Sequence, residues 1–326
     1  MKKKRKVIIE HRFDDRIRRL IKIRFAGFVC KLHNEEFKAE FLENLPAPPP
    51  LYDDVDCVTQ GGRYIRCQRD GKDEFYSWFV PAKEENMPLL VVIPGYEAKL
   101  RSYPDVSDKY NMLFISPLGY STPDGLNISK ACGRSSWPVL YNTLCGFTDG
   151  YNDWLMDAIT VIKFIGDENL ADTDKLIFAG TSNGGAMSLI LASFYGAERC
   201  SAVCADQPFL IGYSTRRLND VIYEFPPPPD IRFRPSLAKR RLSLVDPDWH
   251  ASRLKMPVLI TSSDIDEDCP EKDITALFYK IPETTKKTYI EYLGRPHGYS
   301  SEFFDDMMDF LDKIKEEQSY DESDGY

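Results

Sequence analysis

KLIFAGTSNGGAMSLILASFY, residues 175–195, decides the fold. Lys175 to Ala179 is a short β-prone run with no polar side chain after its lysine, and from Gly185 onward small and apolar residues continue at helical density. Between them lies Gly180-Thr181-Ser182-Asn183-Gly184, a GxSxG pattern at the junction of a strand and a helix. A serine at such a junction is forced into a strained turn. Glycines two residues to either side remove the Cβ atoms that would strike the neighbouring strand and helix. Ser182 then projects from the carboxyl end of a buried strand, with the positive end of a helix beneath it.

Outward from this junction the pattern repeats. PLLVVIPG, NMLFISPLG, SAVCADQPF, PVLITSSD and KTYIEYLG are short apolar runs that fit strands buried on both faces of a parallel sheet. YNDWLMDAITVIKFIGDE, KDITALFYKI and EFFDDMMDFLDKIKEE carry apolar residues at three- and four-residue spacing and read as crossover helices. The alternation predicts an α/β protein with a doubly wound, mostly parallel sheet. Upstream, CVTQGGRYIRCQ and EFYSWFVPA flank the turn signal RDGKD and predict an antiparallel hairpin. Residues 1–50 read as a helical extension, with Ile17, Leu20 and Ile21 and then Phe37, Phe41 and Leu42 at helical spacing, closed by the proline-rich LPAPPP. Residues 51–318 form the main domain, in which 211–248, with FPPPPD and AKRRL, interrupts the alternation and reads as a lid insertion. The acidic tail, 319–326, reads as disordered.

Composition narrows the function classes. Of 326 residues, 43% are hydrophobic and 29% charged, enough for a sizeable core without a metal or disulfide staple. A formal charge of -9 repels phosphate backbones and anionic lipid, so neither nucleic acid nor a membrane is expected as a partner. The basic KKKRKV at 2–7 is followed by IIEHRFDDR, whose charges break any signal-peptide core, and it reads as a solvated end more readily than as a nuclear-import signal. The eight cysteines form no CxxC pair, which argues against a zinc site, and without an export signal they read as reduced, mostly buried thiols in a cytoplasmic protein.

A serine hydroxyl is a weak nucleophile at neutral pH and needs a base within reach and an acid to orient that base. On a sheet of this kind the order along the chain is serine, acid, histidine. Of the four histidines, His11 and His33 precede the core and His250 precedes the strand that should deliver the acid. His297, in LGRPHGYS after the last strand, is left as the base. Asp264, Asp266, Glu267 and Asp268 compete for the acid; Asp266 is preferred, because Pro270 follows it by four residues and so resembles the turn into the next helix of related enzymes, and Asp264 is the runner-up. Two backbone N–H groups are needed for a developing oxyanion, and the amides of Asn183 and Tyr96 are the expected donors. Phe209 and Trp137 are candidate pocket walls, as are Tyr213 and Trp249, although aromatic residues more often sit in the core.

PGYEA, YNDWLMDAITVI, GTSNGG, ADQPFL, KMPVLITSSDIDEDCP and EYLGRPHG together resemble the acetyl xylan esterase and cephalosporin C deacetylase family of α/β-hydrolases. ADQPFL is the most specific piece, since GxSxG with an ordered acid and histidine marks serine hydrolases in general. The resemblance implies an α/β-hydrolase fold, Ser182 as nucleophile, Asp266 as acid, His297 as base and a substrate that is a small ester, with no cofactor and no metal. It also implies self-association as an option, because family members often form ring-shaped hexamers. Two stretches depart from the pattern: Leu118-Gly119-Tyr120 stands where the family usually has Arg-Gly-Gln, and Asn183 stands where it often has glutamine. The lid does not match. The expected activity is removal of a short acyl group, acetyl first, from a sugar or small alcohol. A peptidase of the prolyl-oligopeptidase kind and a non-catalytic binding protein on the same fold are the competing readings.

Overall fold

Residues 200–206 and 258–263 pair as inner strands of a sheet, and alternate side chains of each face different apolar layers, so both faces must be covered. In a computed structural model, which describes residue 19 and residues 36–43, 45–72, 74–95, 100–115, 150–217 and 235–323, that sheet has nine strands. They are β1 (Phe37–Leu42), β2 (Arg63–Arg69), β3 (Phe75–Val80), β4 (Pro88–Ile93), β5 (Asn111–Ile115), β6 (Asp172–Thr181), β7 (Cys200–Asp206), β8 (Val258–Ser263) and β9 (Lys287–Tyr292). Their order is β1-β2-β3-β5-β4-β6-β7-β8-β9. The predicted hairpin is present as β2 and β3, and β1 to β3 pair antiparallel with one another and, through β3, with β5. From β5 to β9 every pairing is parallel.

The described helices are α1 (Gly150–Asp167), α2 (Asn183–Tyr195), α3 (Pro235–Leu242), α4 (Glu271–Phe278) and α5 (Ser301–Ser323). Leu89, Val91, Ile93, Phe178, Val203 and Ile260 face a layer made by α1, α2 and α4. Leu90, Val92, Ile177, Cys204 and Leu259 face the opposite layer, where α5 supplies Phe303, Met307 and Leu311. Period-2 alternation along the strands thus sends neighbouring residues to two separate cores. Each fully buried Leu, Ile or Phe contributes about 1.5–3 kcal/mol. Helix α2 is apolar on every side and buried along nearly all its length, so it is the central crossover, and Gly196 with φ 73° ends it.

Three expectations change. Phe37 to Leu42 form an edge strand, not a helix: Phe37, Ala39 and Phe41 are partly buried while Lys38 and Glu40 are exposed, and the register Phe37↔Arg69 to Leu42↔Tyr64 completes the antiparallel end of the sheet. The same phenylalanines satisfy a four-residue and a two-residue period, and pairing with β2 decides between them. The rest of the expected N-terminal helices, residues 10–35, lies outside the described residues apart from Arg19. At the other end α5 continues to Ser323, so most of the acidic tail extends a helix. In the insertion, residues 218–234 lie outside the described residues, and the flanks are anchored into the core. Ala238, Leu242 and Val245 are buried in the main apolar layer. The fully buried Asp246 accepts hydrogen bonds from the Gly212 N–H (3.1 Å), the Ser214 N–H (3.1 Å) and the Ser214 hydroxyl (2.6 Å), tying the two ends of the excursion together.

Candidate active site

Strand order reverses around β4 and β6, since β5 lies on one side of them and β7 to β9 on the other. Crevices of doubly wound sheets form at the carboxyl ends of the strands at such a point. Ser182 follows β6 there, with φ 58° and ψ -120°, a conformation that a non-glycine residue holds only when its surroundings enforce it. The enforcing contacts are in the backbone: the Ser182 N–H donates to the Asp206 carbonyl (2.8 Å), and the Ser182 carbonyl accepts from Phe209 N–H (2.9 Å) and Ala186 N–H (3.1 Å). Gly184 is obligatory. A Cβ placed on it would stand 1.9 Å from the Ile93 carbonyl oxygen.

His297 enters from the loop after β9. Its Nε2 lies 2.9 Å from Ser182 Oγ, and its Nδ1 lies 2.7 Å from Asp266 Oδ2. Asp266 is buried in the turn after β8, and its second oxygen accepts the Cys269 N–H at 2.8 Å. The runner-up, Asp264, is exposed and accepts instead from the Gly294 N–H at 2.7 Å. Burial works against the His297 imidazolium, but the hydrogen bond and charge of Asp266, with the charges of Asp268 and Asp206, outweigh it and raise the pKa. With Asp266 accepting at Nδ1, the neutral ring carries its proton there and offers Nε2 as a lone pair toward Ser182.

His250 is fully buried, held between Ser193 Oγ (2.9 Å from Nδ1) and the Leu244 carbonyl (3.0 Å from Nε2), and burial lowers its pKa to about 4. It is a neutral core histidine, remote in role from Ser182.

Asn183 opens α2, so its N–H has no acceptor inside the helix. Its side-chain amide is buried and meets no hydrogen-bond partner. Tyr96 and Trp137 lie outside the described residues. Gly95, the residue before Tyr96, is described: its N–H donates to the Tyr299 hydroxyl, and a Cβ on it would stand 3.5 Å from Ser182 Cβ, so the loop after β4 reaches the serine. Phe209 is buried and packs on Tyr213 with ring centroids 4.9 Å apart, so what it gives the described site is its backbone N–H to Ser182. The Trp249 Nε1–H donates to Ser214 Oγ at 2.9 Å.

Three features escaped the sequence reading. Asp206, at the end of β7, is fully buried and accepts from Thr261 (2.6 Å), Thr181 (3.0 Å) and Arg295 Nη2 (2.7 Å). Burial raises its pKa, against the opposing pull of Arg295 and the two hydroxyls. An acidic residue closing an apolar strand, in ADQPFL, was the available signal. Tyr299, two residues after His297, is the second. The third is Cys269, buried beside Asp266, whose thiol burial pushes well up, with Asp266 and Asp268 adding to it. Asp266, Cys269 and His297 bring one donor atom each within 4.8 Å of one another, close enough to hold an ion, but the facing atoms of Asp266 and His297 are engaged with each other.

No helix among the described residues is long and apolar enough to cross a membrane. The solved structures similar to the chain include acetyl xylan esterase 1 from Thermoanaerobacterium sp. JW/SL YS485, at 17% identity and TM-score 0.66 over 90% of this chain and 93% of that one. Acetyl xylan esterase from Paenibacillus sp. R4 is similar at 19% identity and TM-score 0.65, over 89% and 93%. An acylaminoacyl peptidase from Pyrococcus horikoshii shares 17% identity and TM-score 0.52 over 74% of this chain and 38% of its own. These likenesses establish the α/β-hydrolase fold. The acetyl xylan esterase (AXE1) family model matches residues 68–314, most of the chain, and within that span lie Ser182, Asp266 and His297. The chain belongs to the acetyl xylan esterase family of carboxylic ester hydrolases.

Proposed function

We propose that this protein is a serine carboxylesterase that removes short acyl groups, acetyl first, from esters of sugars or small alcohols through an acyl-enzyme. The observation that carries the reading is the continuous relay from Ser182 Oγ through both ring nitrogens of His297 to Asp266, at 2.9 and 2.7 Å. In this reading Ser182 attacks the ester carbonyl while His297 Nε2 takes the hydroxyl proton, and Asp266 stabilises the imidazolium that forms. The tetrahedral oxyanion accepts from the amides of Asn183 and Tyr96. His297 then protonates the leaving alcohol, and water repeats the attack on the acyl-enzyme with the proton moving the same way.

No metal or organic cofactor enters this sequence of steps. The five described cysteines are free thiols, which supports a cytoplasmic home, and the acidic surface supports a small neutral ester, not nucleic acid or membrane, as the partner. Self-association belongs to the same proposal. The peptidase reading draws on the acylaminoacyl peptidase likeness, but the chain spans well under half of that protein.

Hydrolysis of aryl esters from acetyl to octanoyl, by the intact protein and by Ser182→Ala, tests the proposal. Acetyl is expected to be cleaved fastest, with the alanine variant inactive. A preference for long chains contradicts the deacetylase assignment, peptide cleavage favours the peptidase, and absence of any turnover favours a binding protein.

A further inference from the structure

His297 sits in a loop bounded by two glycines in the left-handed region. Gly294 and Gly298 flank it with φ 71° and 140°, and no added Cβ on either would meet a neighbour within 4 Å. Something else has to hold the imidazole at hydrogen-bond distance from Ser182. Arg295, buried two residues before His297, donates from Nη2 to Asp206 Oδ2 (2.7 Å) and to the Gly298 carbonyl (3.0 Å), so one guanidinium nitrogen grips both sides of the histidine. The Ser263 hydroxyl donates to the Arg295 carbonyl, fixing the same residue to the end of β8. Asp206 in turn uses its main-chain carbonyl to accept the Ser182 N–H at 2.8 Å.

One residue therefore holds the serine turn by its backbone and the histidine loop by its side chain. We propose that Arg295 is a positioning residue, and that the Arg295–Asp206 pair sets the separation of His297 Nε2 from Ser182 Oγ. A buried ion pair is weak evidence of net stability, because desolvating both charges offsets their attraction. Its value here lies in geometry, where a displacement of about 1 Å costs on the order of 100-fold in rate. Lysine replaces it only in part, because an ammonium on a flexible stem lacks the planar, rigid group that directs Nη2 between a carboxylate and a carbonyl. The inference rests on the relay read above as catalytic.

The test compares wild type with Arg295→Met, Arg295→Lys and the double variant Arg295→Met/Asp206→Asn, in which no uncompensated buried charge remains to unfold the chain. Arg295→Met is expected to lower kcat about 10- to 100-fold with KM little changed. The acid limb of its pH profile moves to higher pH, since Asp206 without its counter-charge favours the His297 imidazolium. The double variant recovers thermal stability and not kcat, and its acid limb falls below that of wild type. Arg295→Lys lies between. The low-field proton resonance of His297 Nδ1–H gives a readout that needs no substrate, and it is expected to weaken in Arg295→Met. If Arg295→Met loses only thermal stability, with kcat, acid limb and resonance as in wild type, the pair is structural and the inference is overturned. If wild type hydrolyses no ester, that failure belongs to the esterase reading, and the resonance alone decides the positioning role.

Discussion

Asp264 and Asp266 are two residues apart and differ in what they face. Asp266 is buried against His297, whereas Asp264 is exposed and caps Gly294. Asp266→Asn is expected to lower kcat by about 10⁴-fold, because the asparagine amide favours the wrong imidazole tautomer, while Asp264→Asn changes activity only slightly. Steady-state kinetics on an aryl acetate separates the two. With the neutral imidazole as the proposed base, kcat/KM is expected to fall on acidification as His297 gains a proton. With its pKa raised, the midpoint of that fall is expected above the ordinary imidazole value of 6.5, and a midpoint below it contradicts the Asp266 pairing.

At the scale of elements, the serine turn depends on space as much as on sequence. Gly184→Ala drives a methyl group into the Ile93 carbonyl and is expected to destabilise by about 3 kcal/mol, with activity lost in proportion to the shifted turn. Gly71→Ala, in the β2–β3 hairpin at φ 66° with open space around it, carries only the left-handed strain, about 1 kcal/mol. Denaturation midpoints compare them. The core strands and their crossover helices were legible because buried strands of a parallel sheet are unbroken apolar runs that alternate with longer segments of helical period. The edge strand β1 was not, since Phe37 and Phe41 fit two periods and only the partner Ile65 on β2 chooses. Of the site, Ser182 and His297 were legible from spacing and order, and Asp266 from its turn. Arg295 and Asp206 were not, because an ion pair joining residues 89 positions apart leaves no local pattern.

Over the whole molecule, burial of ionisable groups ties stability to pH. His250 binds its proton near 6.5 when unfolded and near 4 when folded, so its contribution is present above 6.5 and is lost as pH falls toward 4. That contribution is about 3 kcal/mol. Asp157 and Asp246, pushed up by burial to about 7 and about 6, act with the opposite sign, losing stability as pH rises through those values. They are common to wild type and His250→Gln, so the difference in unfolding free energy between the two proteins isolates the histidine. That difference is expected to shrink from pH 6.5 to 4, and a constant difference contradicts the neutral buried ring. The esterase reading itself is tested most directly by intact-mass spectrometry of the protein mixed with an aryl acetate and quenched in acid within the first turnovers. One acetyl group on Ser182, absent in Ser182→Ala, is the predicted result, whereas hydrolysis that persists in Ser182→Ala with no acetyl on the serine contradicts the account.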